Sequence, residues 1–159
     1  MTIDAAEFRR ILGHWVTGVT IVAAKLADGR PCGLTANAVA SLSLNPPLVL
    51  VCVEHSADSH DCIQAAGAFS VNVLPATAER LARRFAEYDS SDKFEGVAYR
   101  NEITGAPVLG DAMAWIDCTL RDALPGGDHT IFIGEVVAGD ALDGVPLVYY
   151  RGGYGRFTP

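Results

Sequence analysis

A chain of 159 residues fits one domain around one hydrophobic core, and residues 1–159 read as a single domain. The formal net charge of −7 repels phosphate backbones, which argues against nucleic-acid binding and obliges any anionic ligand to find local hydrogen-bond donors. With 50% hydrophobic residues and a mean hydropathy of +0.22 the chain is apolar for its size, so a face buried against a second copy is expected, as a homodimer.

In chain order, Asp4 opens a helical pattern with Glu7 at capping-box spacing, and Phe8, Ile11, Leu12 and Trp15 fall on one face. Val16–Ala24 reads as a strand, Asp28-Gly29 as a hairpin turn, and a returning strand starts near Pro31. Asn45-Pro46-Pro47 excludes helix, and the apolar run Leu48–Val53 predicts a strand buried on both faces. That run is too short to span a bilayer. Ser56–Ala66 reads as a short helix with candidate caps at Ser56, Asp58 and Ser59, ended by Gly67. Phe69–Leu74 is a strand.

Pro75 and Thr77 begin a helix with Leu81, Phe85 and Tyr88 on its inner face, followed by a polar loop over Asp89–Gly96. Ala112–Leu124 and Thr130–Val137 read as strands joined by a turn at Pro125-Gly126-Gly127-Asp128. Leu147–Tyr150 is a last strand, and Gly152, Gly153 and Gly155 predict a pliable tail. Six or seven strands with two or three short helices and no βαβ alternation point to a mainly β fold, an antiparallel barrel with helical decorations.

Cys32, Cys52, Cys62 and Cys118 have no CxxC spacing, and no export leader is evident, so a reduced, cytoplasmic protein without disulfides is expected. The cluster His55, Asp58, His60, Asp61 and Cys62 is read as a capped helix start with exposed histidines in preference to a metal site. Gly152-Gly153-Tyr154-Gly155 has no helix after it and is not a dinucleotide fingerprint.

The segment Thr35–Ser43 stands apart. On an extended backbone Thr35, Asn37, Val39, Ser41 and Ser43 share one face, while Ala36, Ala38 and Ala40 would let a flat ligand approach the main chain. An ordinary polar-faced strand would show the same alternation. Ser56 and Ser59, with Lys93 or Arg156, offer candidate phosphate contacts, against the alternative of simple capping and a surface lysine. His129, at the mouth of a hairpin, is either a surface residue or one that bonds a ligand carboxamide or tunes its charge.

From Gly33 to Val49, the run GLTANAVASLSLNPPLV resembles the flavin reductase-like family, whose pattern is G-x-T-x-N-[SA]-[FV]-x-S-[VL]-S-x-[DN]-P-P-L. Phe69–Leu74, Asp92-Lys93-Phe94, Gly127-Asp128-His129 and the tail Leu147–Tyr154 match in the same order. The resemblance implies a homodimeric, FMN-binding split β-barrel that takes hydride from NADH or NADPH, passes it to FMN or FAD, and supplies a partner monooxygenase with diffusing reduced flavin. By position it implies flavin-binding roles for Thr35, Ala36, Asn37, Ala38, Val39, Ser41, Cys52, Ser56, Ser59, Lys93, Phe94, Tyr154 and Arg156. It places His129 where the nicotinamide stacks, as the catalytic residue. Two departures are Ala38, where a serine is often found, and Val39, where phenylalanine is frequent.

Overall fold

A computed structural model describes residues 2–87 and 92–159; Tyr88 and the start of the polar loop lie outside that range. Helix α1 (Ala5–Leu12) begins as expected: the Asp4 carboxylate accepts from the Glu7 amide at 2.8 Å. The capping box is only half made, because Glu7 pairs with Arg10 at 2.7 Å instead of reaching back. Nothing on α1 is buried. Phe8, Ile11, Leu12 and Trp15 are all exposed, Trp15 by 74%, so this apolar face does not serve the chain's own core.

The main sheet has seven strands, all antiparallel: β2 (Thr20–Lys25), β3 (Pro31–Ala36), β4 (Val39–Leu44), β5 (Pro47–Glu54), β6 (Ala68–Val73), β9 (Ala114–Gly126) and β10 (His129–Ala141). Their order is β3-β2-β6-β9-β10-β5-β4, so two strands consecutive in sequence lie at opposite ends. Only Asn37 and Ala38 separate them, and the sheet must therefore curl to bring its edges together. A small sheet of β1 (Thr17–Gly18), β11 (Leu147–Tyr150) and β12 (Gly153–Arg156), and a pair of β7 (Tyr99–Asn101) with β8 (Pro107–Leu109), complete the strands. The tail is therefore a hairpin: Arg151 and Gly152, at φ 49° and 78°, turn the chain so that β12 pairs with β11. Ladder bonds override the flexibility that three glycines predict.

One core fills the curl of the sheet, with Val22, Val51, Val53, Phe69, Cys118 and Phe132 fully or nearly fully buried beneath helix α2 (His60–Ala66). A second lies on the other face of β2, where Ile21, Leu74, Phe85, Leu109 and Leu147 pack under helix α3 (Glu79–Phe85). Burial alternates along β5: Val49, Val51 and Val53 are buried while Leu48, Leu50 and Cys52 are only partly covered. The predicted doubly buried strand is thus buried on one face, since β5 has a core on one side only. Between the cores, buried Asn72 donates to the Ile21 carbonyl at 3.1 Å and accepts from the Leu109 amide at 2.8 Å, tying β6 to β2 and β8.

The cysteines also differ from expectation. Cys32 of β3 and Cys62 of α2 form a disulfide, while Cys52 and Cys118 are free. The pair is thirty residues apart in sequence, and only the packing of α2 on β2 and β6, beside β3, brings the sulfurs together.

A cleft at the crossover between the edge strands

The step from β3 to β4 opens a cleft of about 240 Å³. Its lining brings together Thr35, Ala36, Asn37, Ala38, Cys52, Lys93 and His129, which the sequence selects from four separate segments. Thr35–Ser43 is not one strand, however. The ladder of β3 with β2 ends at Ala36, and that of β4 with β5 begins at Val39. A register shift between Ser41 and Ser43 then breaks the alternation again, so the five predicted residues do not share a face. Asn37 and Ala38 stand between the ladders, held by the Ala38 carbonyl accepting from the Cys52 amide at 2.9 Å and by Thr20 Oγ1 donating to the Ala36 carbonyl at 2.7 Å.

Several predicted donors are engaged within the protein. Thr35 Oγ1 donates to the Ala82 carbonyl at 2.6 Å, fastening β3 to α3. Ser59 is buried, its hydroxyl donating to the Gly33 carbonyl at 2.7 Å and lying 3.0 Å from Asp58 Oδ1. It stands at the N-cap of α2 without capping it. Lys93 is not a surface lysine: its ammonium, 6% exposed, pairs with Asp58 at 3.0 Å and reaches the Gly33 carbonyl at 3.4 Å. By contrast, the exposed carboxamide of Asn37 makes no hydrogen bond among the described residues.

Ser59 and Phe94 line an adjoining groove that shares Asp58 and Lys93 with the cleft. Tyr154 lines a smaller hollow with Thr35, Asn37 and Tyr149, its ring beneath Arg83 at 4.9 Å; burial pushes its phenol up. Val39, Ser41, Ser56 and Arg156 line none of these three hollows. The expectation of exposed histidines fails at His60, which is buried, with its ring nitrogens 2.8 Å from Asp61 and 2.7 Å from Thr130. Sequence reasoning missed Glu54, Ala57, Asp58, Phe85, Ala86 and Glu87 in the cleft lining. Asp58 alone carried a signal, as a candidate cap; the others reach the cleft through packing.

His129 begins β10, in register with Glu54 of β5. Its Nδ1 lies 2.6 Å from the Asp128 carboxylate, and that hydrogen bond holds the Asp128 carboxyl below its usual range. Burial alone pushes the Cys52 thiol up, so it is a neutral wall of the cleft.

The sequence and the fold have close counterparts. Residues 12–158 match the model of the flavin reductase like domain. The chain belongs to that family. The reductase component of 4-nitrophenol 4-monooxygenase/4-nitrocatechol 2-monooxygenase from Rhodococcus opacus is 45% identical over 157 residues, covering 99% of this chain and 83% of that protein. Nitrilotriacetate monooxygenase component B from Mycobacterium thermoresistibile superposes with a TM-score of 0.93 at 38% identity, over 98% of this chain and 88% of that one. An NADH:FAD oxidoreductase from Streptomyces globisporus, in complex with NAD and FAD fragments, superposes at 0.91 with 39% identity, over 98% and 94% of the two chains.

The cleft fits the group this flavin reductase-like family implies. Exposed Ala38 leaves the crossover open to a ligand, Asn37 offers a carboxamide with no hydrogen bond among the described residues, and Cys52 supplies an apolar wall. The Lys93–Asp58 pair stands where the cleft meets the adjoining groove. Asp58→Ala would leave a buried ammonium facing only a carbonyl, and should lower stability by about 1–3 kcal/mol in urea unfolding. Adding Lys93→Met to that variant should restore most of the loss; no loss in the single variant would mean that the pair is solvated.

Proposed function

We propose that this chain is an NAD(P)H:flavin oxidoreductase that takes hydride from NADH or NADPH to FMN or FAD and supplies reduced flavin to a separate monooxygenase. The observation that carries the reading is the cleft itself, where an open crossover backbone and His129 come from distant segments to one place. The relatives' names support it: they include the reductase component of a monooxygenase and an NADH:FAD oxidoreductase. Thr35, Ala36, Asn37, Ala38 and Cys52 would hold the ring system, with Lys93 and Phe94 at its far end. Val39, Ser41, Ser56, Ser59, Tyr154 and Arg156 remain flavin contacts only where the resemblance implies them.

Bound flavin supplies the hydride acceptor, so the protein needs no acid–base pair of its own. Its residues hold two flat rings in contact, and such orientation can supply on the order of several kcal/mol. His129, its ring held by Asp128, would orient the nicotinamide carboxamide. Backbone N–H groups near Asn37 and Ala38 would stabilise negative charge on the ring edge.

The exposed apolar face of α1 supports a homodimer, and the curled sheet with consecutive edge strands supports a split barrel. Among the described residues no helix is long and apolar enough to cross a membrane. The test is anaerobic addition of NADH or NADPH to the protein with excess FMN, FAD or riboflavin, following the visible flavin absorbance. Catalytic bleaching of free flavin is expected. Flavin that binds yet never bleaches would make the chain an electron carrier and sink the reductase reading.

A further inference from the structure

The Cys32–Cys62 bridge lies in the wall of the groove of about 780 Å³ that adjoins the cleft, and both residues line that groove. Cys32 is half-buried, so a small thiol or peroxide entering the groove meets its sulfur. The free Cys118, in the core, has no such access.

The bridge joins two segments that also meet in the cleft. Cys32 precedes Gly33, whose carbonyl accepts from Ser59 and from Lys93; Cys62 is one turn beyond Ser59. Along β3 the next residues after Leu34 are Thr35 and Ala36 of the cleft wall, and Asp58 and Lys93 line both hollows. β3 is an edge strand with one ladder partner, β2. Its tie to α2 is the bridge together with the Ser59 hydroxyl, at the N-cap, on the Gly33 carbonyl, while Thr35 further along is held to the Ala82 carbonyl of α3. Access and thiolate chemistry, more than burial, decide whether a disulfide exchanges.

Building on the flavin reading above, we propose that Cys32 and Cys62 form a reversible redox-modification site that sets the flavin affinity of the adjacent cleft. Hydrogen peroxide, which free reduced flavin generates with oxygen, is the oxidant. Cys32 gives its proton to solvent, its thiolate attacks one peroxide oxygen as the O–O bond breaks, and the departing hydroxide takes a proton back from solvent, giving a sulfenic acid and one water. The Cys62 thiol then displaces the sulfenic hydroxyl, so that the S–S bond forms and a second water leaves. A small dithiol reverses the change: its thiolate attacks the Cys32 sulfur, the S–S bond breaks, and Cys62 leaves as a thiolate that takes up a proton. The second thiol of the reagent then releases Cys32 and departs as a cyclic disulfide. In the reduced state β3 loses its covalent tie to α2, and the Thr35–Ala36 wall loosens.

The full chain would be treated with hydrogen peroxide and then with dithiothreitol, native throughout. Alkylation under denaturing conditions should count two thiols in the oxidised protein and four in the reduced one. Amide hydrogen exchange over β3 should quicken on reduction, and the flavin dissociation constant, read by fluorescence quenching, should rise roughly three- to tenfold. A Cys32→Ser/Cys62→Ser variant should match the reduced protein and ignore both reagents. Four thiols after peroxide, a bridge that resists dithiothreitol, or equal exchange and affinity in both states would overturn the proposal. If neither state bound flavin while exchange still responded, the flavin reading and the affinity claim would fall, and the redox site would stand.

Discussion

Gly134→Ala is expected to be the most destabilising single-methyl change in the chain, by about 1–3 kcal/mol or somewhat more. Gly134 sits in β10 at a register shift, between Val49 of β5 and Leu120 of β9. A Cβ there would lie 2.6 Å from Phe69 Cζ and 2.8 Å from Cys118 Cβ, both in the fully buried core inside the curl. Neither neighbour can yield cheaply, because each is packed on all sides. The loss should appear as a lower urea midpoint at unchanged slope and a fall in Tm of about 3–10 °C. Phe69→Leu in the same chain should recover part of it, since the shorter side chain vacates the contact. A Tm within about one degree of the parent would show that the sheet shifts freely at the bulge.

His129→Ala should lower steady-state NADH oxidation by roughly 10–100-fold while flavin affinity stays within about twofold. The ring lines the same cleft as the crossover residues Asn37 and Ala38, and its loss removes an orienting group while leaving those contacts in place. Asp128→Asn should lower the rate less, because it frees the ring without removing it. The pH dependence follows from the carboxylate. Asp128 has its carboxyl held below the ordinary value of 3.8 by the His129 hydrogen bond, so the contact is complete above that value. It is lost only as pH falls through the depressed pKa. Any fall in rate between neutral and mildly acidic pH therefore does not come from Asp128, and Asp128→Asn should leave that limb in place. Full NADH oxidation in His129→Ala would end its role in hydride transfer.

Local patterns were legible wherever a single short-range force decides the outcome. The Asp4 cap, the Asp28-Gly29 turn, the Gly67 stop and the strand Leu147–Tyr150 all stand where side-chain chemistry and backbone preference place them. Seven residues named from sequence line one cleft, because the motif order picks out segments that the fold brings together. The failures share one cause. Ser59 and Lys93 looked like free donors, yet in the folded chain both turn inward onto the Gly33 carbonyl and Asp58. His60 looked exposed because its partner Thr130 is seventy residues away.

By itself the sequence determined the mainly β class, most strand positions and the family, all matters of local alternation, turn chemistry and motif order. It could not decide that Thr35–Ser43 is split between the two edges of one sheet. Only the tertiary structure settles that, because the break at Asn37-Ala38 is imposed by the curl that brings β3 and β4 round to the same cleft. The disulfide was hidden for the same reason. Contacts between segments far apart in the chain are chosen by what the two cores bury, and no local spacing encodes them.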